Sequence, residues 1–280
     1  MKKVLSKDGT AIAYDQTGKG RPVIMVDGAL CSRTSGPGMS LAPLLSQHFT
    51  VFVYDRRGRG DSGNTLPYAV EREVEDIAAL IKEAGGPVHL FGHSSGAVLA
   101  LQAAASGLNV EKVAAYEPPY VASGNGPRPP EDAATQLARL ASAGRRSDAL
   151  DYWMVKMIGQ KAEDVASMRN APFWPALEAL AHTLAYDTTI LGNWAVPAWM
   201  ASVRVPALVM DGGASPEYMR QAAQAVAKAI PQAQYRTLEG QTHGVAPEAI
   251  APLLVEFFSS EKTVVRPQAG KKESRQQQIP

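Results

Sequence analysis

The chain has 280 residues, of which 45% are hydrophobic and 20% are charged, a composition typical of globular proteins. Its 28 Lys and Arg residues nearly balance 27 Asp and Glu residues, so the formal net charge is only +1. This balance provides no general field that would attract nucleic acid or acidic lipid. The single cysteine, Cys31, excludes an intrachain disulfide and any zinc site built on several cysteines.

No apolar stretch near Met1 is long enough for a signal peptide or a membrane span, so we expect a cytoplasmic protein. Residues 261–280 are rich in Lys, Gln, Arg and Ser. Such a segment buries little apolar surface, and we therefore expect a disordered tail there.

Strand and helix patterns alternate over the first 120 residues. Short strands are predicted over residues 4–14 and 23–26, and a β-branched strand over Thr50–Tyr54. Apolar residues at three- and four-residue spacing predict a helix over Val70–Ala84. A strand, an apolar helix and another strand follow, over residues 88–91, 97–105 and 113–116. Because parallel strands need crossover connections, this alternation predicts an α/β fold with a mostly parallel sheet flanked by helices.

A different kind of segment interrupts this alternation. Residues 121–201 contain all four Trp residues and have helical periodicity over 133–140 and 149–157, which predicts a helical cap inserted into the core. The alternation then resumes with a strand, a helix, a strand and a final helix, over residues 206–211, 216–230, 234–238 and 250–258. The predicted organisation is a core of residues 1–120 and 202–260, a cap of residues 121–201 and a tail of residues 261–280.

A serine flanked by glycines follows one of the predicted buried strands. The segment from Gly92 to Gly96, Gly-His-Ser-Ser-Gly, matches G-x-S-x-G and lies between a predicted strand and a predicted helix, as a nucleophile elbow requires. The glycines permit a sharp turn that exposes Ser94, and the helix N-terminus faces any oxyanion that forms. We predict Ser94 as nucleophile and the Ser95 N–H as an oxyanion donor. The alternative is a small-residue turn that only packs strand against helix.

A serine hydroxyl needs a general base, and two histidines follow Ser94 in the chain. His182 lies in the predicted cap, whereas His243 follows the last predicted strand and therefore lies at the same sheet edge as Ser94. We predict that His243 is the base. The alternative is a surface histidine in a Gly-rich loop.

These residues resemble the α/β-hydrolase superfamily, near its small bacterial esterases, lactonases and cofactor-free haloperoxidases, and the likeness spans Lys3–Ser259. Residues 54–62 are similar to the family's D-x-R-G-x-G-x-S turn after the fourth strand. The strand-end His-Gly of many members is Asp27-Gly28 here. The resemblance implies the α/β-hydrolase fold, with the Ala29 N–H as the second oxyanion donor.

The sequence departs from the family at the acid that orients the histidine. The usual position after the penultimate core strand is Ser215 here, which cannot stabilise an imidazolium by charge. Some family members carry the acid at the end of the strand that follows the elbow helix, and this position is Glu117. The resemblance therefore favours Glu117 as the acid, with Asp211 in reserve. The alternative role of Glu117 is a cap hinge bonded to the backbone.

The resemblance implies a serine hydrolase that cleaves a carboxylic ester, lactone or thioester through an acyl-Ser94 intermediate. Trp and Met residues in the predicted cap favour a small-molecule substrate with an apolar acyl or ring portion, and no cofactor, metal, nucleic acid or membrane partner is expected. One alternative is another reaction at the same site, by a C–C hydrolase, a hydroxynitrile lyase or a cofactor-free haloperoxidase. The other is a non-catalytic ligand-binding member, for which Ser215 is the only support.

Overall fold

The computed structural model describes residues 1–122, 126–127 and 129–261, and its strands form a mostly parallel sheet. They are β1 (Lys2–Leu5), β2 (Ala11–Gly18), β3 (Pro22–Val26), β4 (Thr50–Tyr54), β5 (Val88–His93), β6 (Val110–Tyr116), β7 (Ala207–Gly212) and β8 (Ala233–Leu238). The order across the sheet is β1-β2-β4-β3-β5-β6-β7-β8. Only the pairs β1–β2 and β2–β4 are antiparallel in this sheet. The predicted fold class is confirmed.

Helices connect the strands and cover the sheet. They are α1 (Pro37–Leu45), α2 (Val70–Ala84), α3 (Ser95–Ala105), α4 (Ala133–Ser142), α5 (Arg146–Tyr152), α6 (Ala162–Met168), α7 (Trp174–Leu180), α8 (Leu184–Leu191), α9 (Glu217–Ala229) and α10 (Pro247–Ser259). The sequence patterns do not predict α1, because the Gly- and Pro-rich sequence around it is typical of a loop. Pro37 lies in its first turn, where the missing N–H is not needed.

Alternate side chains of the central strands contribute to two hydrophobic cores. In β3, Ile24 and Val26 pack in the core that contains α2, α3 and α9. Val23 and Met25 pack on the opposite face, in the core that contains α1 and α10. Successive side chains of a strand point to opposite faces, so a sheet covered on both sides needs nearly continuous apolar strands. Because β3 to β8 run parallel, their carboxyl ends lie at one edge of the sheet. The predicted site residues lie at this edge.

Helices α4–α8 form an insertion between β6 and β7, two strands that are neighbours in the sheet. The insertion buries a core of its own, which includes Leu137, Trp153 and Leu184. This core packs against Leu30, which follows β3, and against Tyr68. The insertion therefore contacts the loops at the carboxyl ends of the strands. None of the described helices is long and apolar enough to cross a membrane. Of the predicted tail, residues 262–280 lie outside the described residues.

Candidate active site

Ser94 occupies a strained turn between β5 and α3. Its backbone has φ 58° and ψ −128°, a region that residues with a side chain rarely adopt. Glycines on both sides allow this turn, because a Cβ atom on Gly96 would lie 2.0 Å from the Val26 carbonyl oxygen. A Cβ atom on Gly92 would lie 2.4 Å from the Gly96 oxygen. The turn therefore packs backbone against backbone, and this close packing fixes the position of the serine.

Two unused backbone N–H groups lie beside the Ser94 hydroxyl. A Cβ atom on Gly28 would lie 2.8 Å from Cβ and 3.4 Å from Oγ of Ser94, so the loop after β3 passes directly over the serine. Within the described chain, the N–H groups of Ala29 and Ser95 donate no hydrogen bond. Both residues line the same cavity as Ser94. The pair is suited to bind an oxyanion on a carbon attached to the serine.

His243 lies in the loop between β8 and α10, and two buried side chains hold that loop from below. The Tyr116 hydroxyl donates to the Thr242 carbonyl at 2.6 Å, and His93 Nε2 lies 2.8 Å from the His243 carbonyl oxygen. These bonds place the His243 side chain in the wall of the cavity that contains Ser94. The Ser94 hydroxyl and the His243 imidazole, both described, do not form a hydrogen bond with each other in this structure. Such bonds are often long in unliganded enzymes and form in the substrate complex.

Glu117, at the end of β6, carries the carboxylate that contacts His243. Its Oε2 lies 2.7 Å from His243 Nδ1, and its Oε1 accepts the Gly212 N–H at 2.9 Å. The carboxylate is completely buried. Burial raises the pKa of Glu117, but the hydrogen bonds from His243 and Gly212 outweigh this effect, so the pKa lies below its usual value. Glu117 is therefore ionised at neutral pH and can fix one tautomer of the imidazole.

Among the described residues, the other candidates form no hydrogen bond with the His243 side chain. Asp211, the reserve acid, accepts a hydrogen bond from the Tyr235 hydroxyl at 2.6 Å. Ser215 lies near Glu117, but its hydroxyl forms no hydrogen bond with a described residue. His182 packs against Gly58 and does not line the cavity. Among these described residues, the structure thus brings Glu117 to His243.

A cavity of about 520 Å³ opens above Ser94. Large apolar side chains from the insertion and from α9 form much of its wall, including Trp153, Met157, Trp194 and Met219. The described lining residues include no Asp, Glu, Lys or Arg. Other large apolar residues of the insertion serve different purposes: Trp174 packs in the insertion core, and Phe173 is exposed. The described wall favours an apolar ligand portion.

A π-helical turn, Trp153–Met157, contributes two of these wall residues. The helix predicted over 149–157 ends as α5 at Tyr152, and the Ile158 N–H then bonds to the Trp153 carbonyl at 3.1 Å. Both Trp153 and Met157 face the cavity. Apolar spacing alone does not reveal this turn, because five residues are too few to distinguish a π-helical from an α-helical period.

Backbone strain is concentrated around the cavity. In the described chain, the non-glycine residues with positive φ are Leu30, Ser94, Glu117 and Trp194. Three of them line the cavity, and the fourth bonds to His243. Such conformations cost about 1–3 kcal/mol each and persist where the surrounding structure enforces them. Their clustering is independent support for a functional site here.

The family model for the Alpha/beta hydrolase family matches this sequence over residues 32–253. The chain belongs to the alpha/beta hydrolase family. A solved alpha/beta hydrolase from Sphaerobacter thermophilus is 53% identical and superposes with a TM-score of 0.86, covering 92% of this chain and 100% of that one. The resemblance noted from the sequence is thereby confirmed.

Two other proteins are also similar to this chain. The N-formylmaleamate deformylase of Pseudomonas putida is 28% identical over 204 residues, which are 70% of this chain and 72% of that protein. A thermophilic esterase from Thermogutta terrifontis is 22% identical with a TM-score of 0.64, covering 91% of this chain and 97% of that one. The likeness to the esterase shows the fold alone.

The burial of His93 beneath the His243 loop predicts that acid will destabilise the fold. Burial, together with the nearby His243, lowers the pKa of His93 to about 3. The unfolded chain binds this proton near pH 6.5, so stability is lost as the pH falls from about 6.5 towards 3. We expect a loss of about 2 kcal/mol at pH 5 relative to pH 7.5, and His93→Gln should not show this part of the loss. Urea unfolding followed by tryptophan fluorescence at both pH values measures it.

The exposed His48 gives the matched control, His48→Gln, for the loss of a histidine from the chain. Equal acid sensitivity in the wild type and in His93→Gln would contradict a buried, neutral His93.

Proposed function

We propose that this protein is a serine hydrolase that cleaves a carboxylic ester, lactone or thioester through an acyl-Ser94 intermediate. The observation that carries the proposal is the 2.7 Å contact between Glu117 and His243 Nδ1, in the wall of a cavity whose floor holds Ser94 on a strained turn. Nucleophile, base and orienting acid then come from three separate places in the chain, as a catalytic triad requires.

In this mechanism the Ser94 hydroxyl attacks the substrate carbonyl carbon while His243 Nε2 accepts its proton. Glu117 holds the Nδ1–H and stabilises the imidazolium that forms. The negative charge moves to the carbonyl oxygen, where the N–H groups of Ala29 and Ser95 bind it. His243 then gives the proton to the leaving oxygen or sulfur, and the acyl group remains on Ser94. A water molecule that His243 deprotonates then attacks the acyl carbon in the same way, and the carboxylic acid product leaves Ser94.

We also propose that residues 121–201 act as a cap over a core of residues 1–120 and 202–260. The insertion has its own hydrophobic core and supplies Trp153, Met157 and Trp194 to the cavity wall. A cap of this kind separates the site from bulk solvent and selects substrates by shape.

The identity of the nucleophile is the first test. Ser94→Ala should lower kcat for p-nitrophenyl butyrate by about 10⁴ to 10⁶ while the fold persists, since no other group would form the acyl intermediate. A fluorophosphonate probe should label the wild type on the peptide containing Ser94, as located by mass spectrometry. Ser95→Ala, which keeps its backbone N–H, should still be labelled. Activity retained by Ser94→Ala, or a wild type that the probe does not label, would refute the proposal.

The identity of the acid is tested by a matched pair of buried carboxylates. Glu117→Gln should lower kcat by about 10² to 10⁴, because the amide no longer stabilises the imidazolium. Asp211→Asn makes the same chemical change at a buried residue bonded to Tyr235 and should retain most of the activity. Steady-state kinetics of both variants measure the difference. The reverse ranking would transfer the role to Asp211.

The substrate class is tested by two esters of similar shape and different charge. The described cavity wall contains no Asp, Glu, Lys or Arg, so a buried substrate carboxylate would have no cationic side chain of that wall as its partner. We expect kcat/KM for p-nitrophenyl 4-methylpentanoate to exceed that for p-nitrophenyl hemisuccinate at least about 100-fold. N-formylmaleamate, the anion named for the Pseudomonas putida relative, should be a poor substrate for the same reason.

Preference for either anion would contradict a neutral, apolar substrate. Turnover of a diketone or a cyanohydrin without ester hydrolysis would instead favour a C–C hydrolase or a lyase.

A further inference from the structure

A buried carboxylate of the insertion lies directly behind the proposed oxyanion site. Asp187, on α8, is completely buried. Its Oδ1 accepts hydrogen bonds from Arg56 Nη1 at 2.7 Å and from the Ser95 hydroxyl at 2.7 Å. Arg59 Nη2 donates to both carboxylate oxygens, at 2.9 and 2.8 Å. One cap residue therefore joins two arginines of the turn after β4 to the first residue of α3.

The arginines carry this contact to the loop after β3. Arg59 Nη1 donates to the Gly28 carbonyl at 2.5 Å, and Arg56 Nη1 donates to the Asp27 carbonyl at 3.3 Å. The Gly28 carbonyl and the Ala29 N–H belong to the same planar peptide group. A donor that fixes the carbonyl therefore also fixes the direction of the Ala29 N–H, and it polarises that N–H towards an acceptor.

The other proposed donor is held from the same carboxylate. The Ser95 hydroxyl donates to Asp187, and Ser95 lines the cavity as the first residue of α3. Both donors thus depend on Asp187: the Ser95 N–H through the Ser95 hydroxyl, and the Ala29 N–H through Arg59.

The negative charge of Asp187 is needed to balance the buried arginines. Arg56 also forms a bidentate pair with the buried Glu73, with both contacts at 2.7 Å. Two guanidinium groups and two carboxylates therefore neutralise each other in the interior. Burial raises the pKa of Asp187, but the charges of Arg59 and Arg56 lower it below the usual value, so the carboxylate remains charged. Removing that charge would leave one buried cation unpaired.

We propose that Asp187 is the positioning residue of the oxyanion hole, holding the Ala29 and Ser95 N–H groups in place by way of Arg59 and the Ser95 hydroxyl. The inference rests on the proposed function, because only acyl transfer at Ser94 generates the oxyanion. It also gives the insertion a second role besides shaping the cavity, since the donors are set only when α8 is docked on the core.

The test compares Asp187→Asn with the wild type on p-nitrophenyl butyrate at a temperature where both are folded. We expect kcat to fall about 10- to 100-fold, because each donor is misdirected but present, while KM changes less than about threefold. The inhibition constant of an alkyl trifluoromethyl ketone, which forms an oxyanion at the serine, should rise by the same factor as kcat/KM falls.

The matched control is Asp76→Asn. Asp76 is buried and forms a bidentate pair with Arg57, at 2.8 and 2.7 Å, in the same turn as Arg56 and Arg59. Arg57 contacts Asp8 and the Arg72 carbonyl, which lie outside the cavity wall. This variant should lose thermal stability as Asp187→Asn does, yet keep the wild-type kcat and inhibitor affinity.

A second variant keeps the test decisive if Asp187→Asn fails to fold. Ser95→Ala leaves every buried charge paired and removes only the contacts of the Ser95 hydroxyl with Asp187 and Arg56. It should lower kcat and inhibitor affinity together by about three- to tenfold. Wild-type kcat in whichever of these two variants folds, or an equal kcat loss in Asp76→Asn, would overturn the inference. A wild type that neither hydrolyses esters nor reacts with the fluorophosphonate would instead overturn the proposed function.

Discussion

The site depends on the close packing of the Ser94 turn against the end of β3. The Gly96 backbone lies so near the Val26 carbonyl that a side chain at position 96 would overlap it, and Gly28 in turn leaves no space for a methyl group above Ser94. These contacts bring the serine, the start of α3 and the loop after β3 within a few ångströms of one another. The positive φ of Ser94 makes this turn energetically unfavourable by itself, and packing on both sides of the sheet holds the turn in place.

A second group of contacts comes from β6, the strand beside the serine strand. Tyr116 and Glu117 are consecutive, but the positive φ of Glu117 turns the chain there. The Tyr116 hydroxyl holds the backbone of the His243 loop, while the Glu117 carboxylate holds its imidazole. With the carboxylate directly after β6, one strand end supports both parts of the loop. This position of the acid also explains why β7 can end without an acid that contacts His243.

Much of this arrangement follows from sequence patterns, because the strands and the helices α2 and α9 have strong periodicity that long-range packing does not alter. The serine turn is predictable since its glycines, strand and helix are contiguous. From the sequence, the pairing of Glu117 with His243 is indicated only by a family resemblance. The structure gives the distance between the two side chains. The cluster around Asp187 is not predictable, because Arg56, Ser95 and Asp187 are far apart in the chain and a charged residue within a helix usually indicates an exposed face.

Buried ion clusters seldom add net stability, since desolvation offsets much of the attraction between the charges. Well-packed apolar residues would have filled the space behind the serine turn at lower cost. Apolar side chains cannot, however, donate to the Gly28 carbonyl or accept the Ser95 hydroxyl, and both groups are buried polar atoms that need partners. A guanidinium held by a carboxylate satisfies them with fixed geometry. The cluster is therefore better explained by the orientation it imposes on the backbone N–H groups than by the stability it gives to the fold.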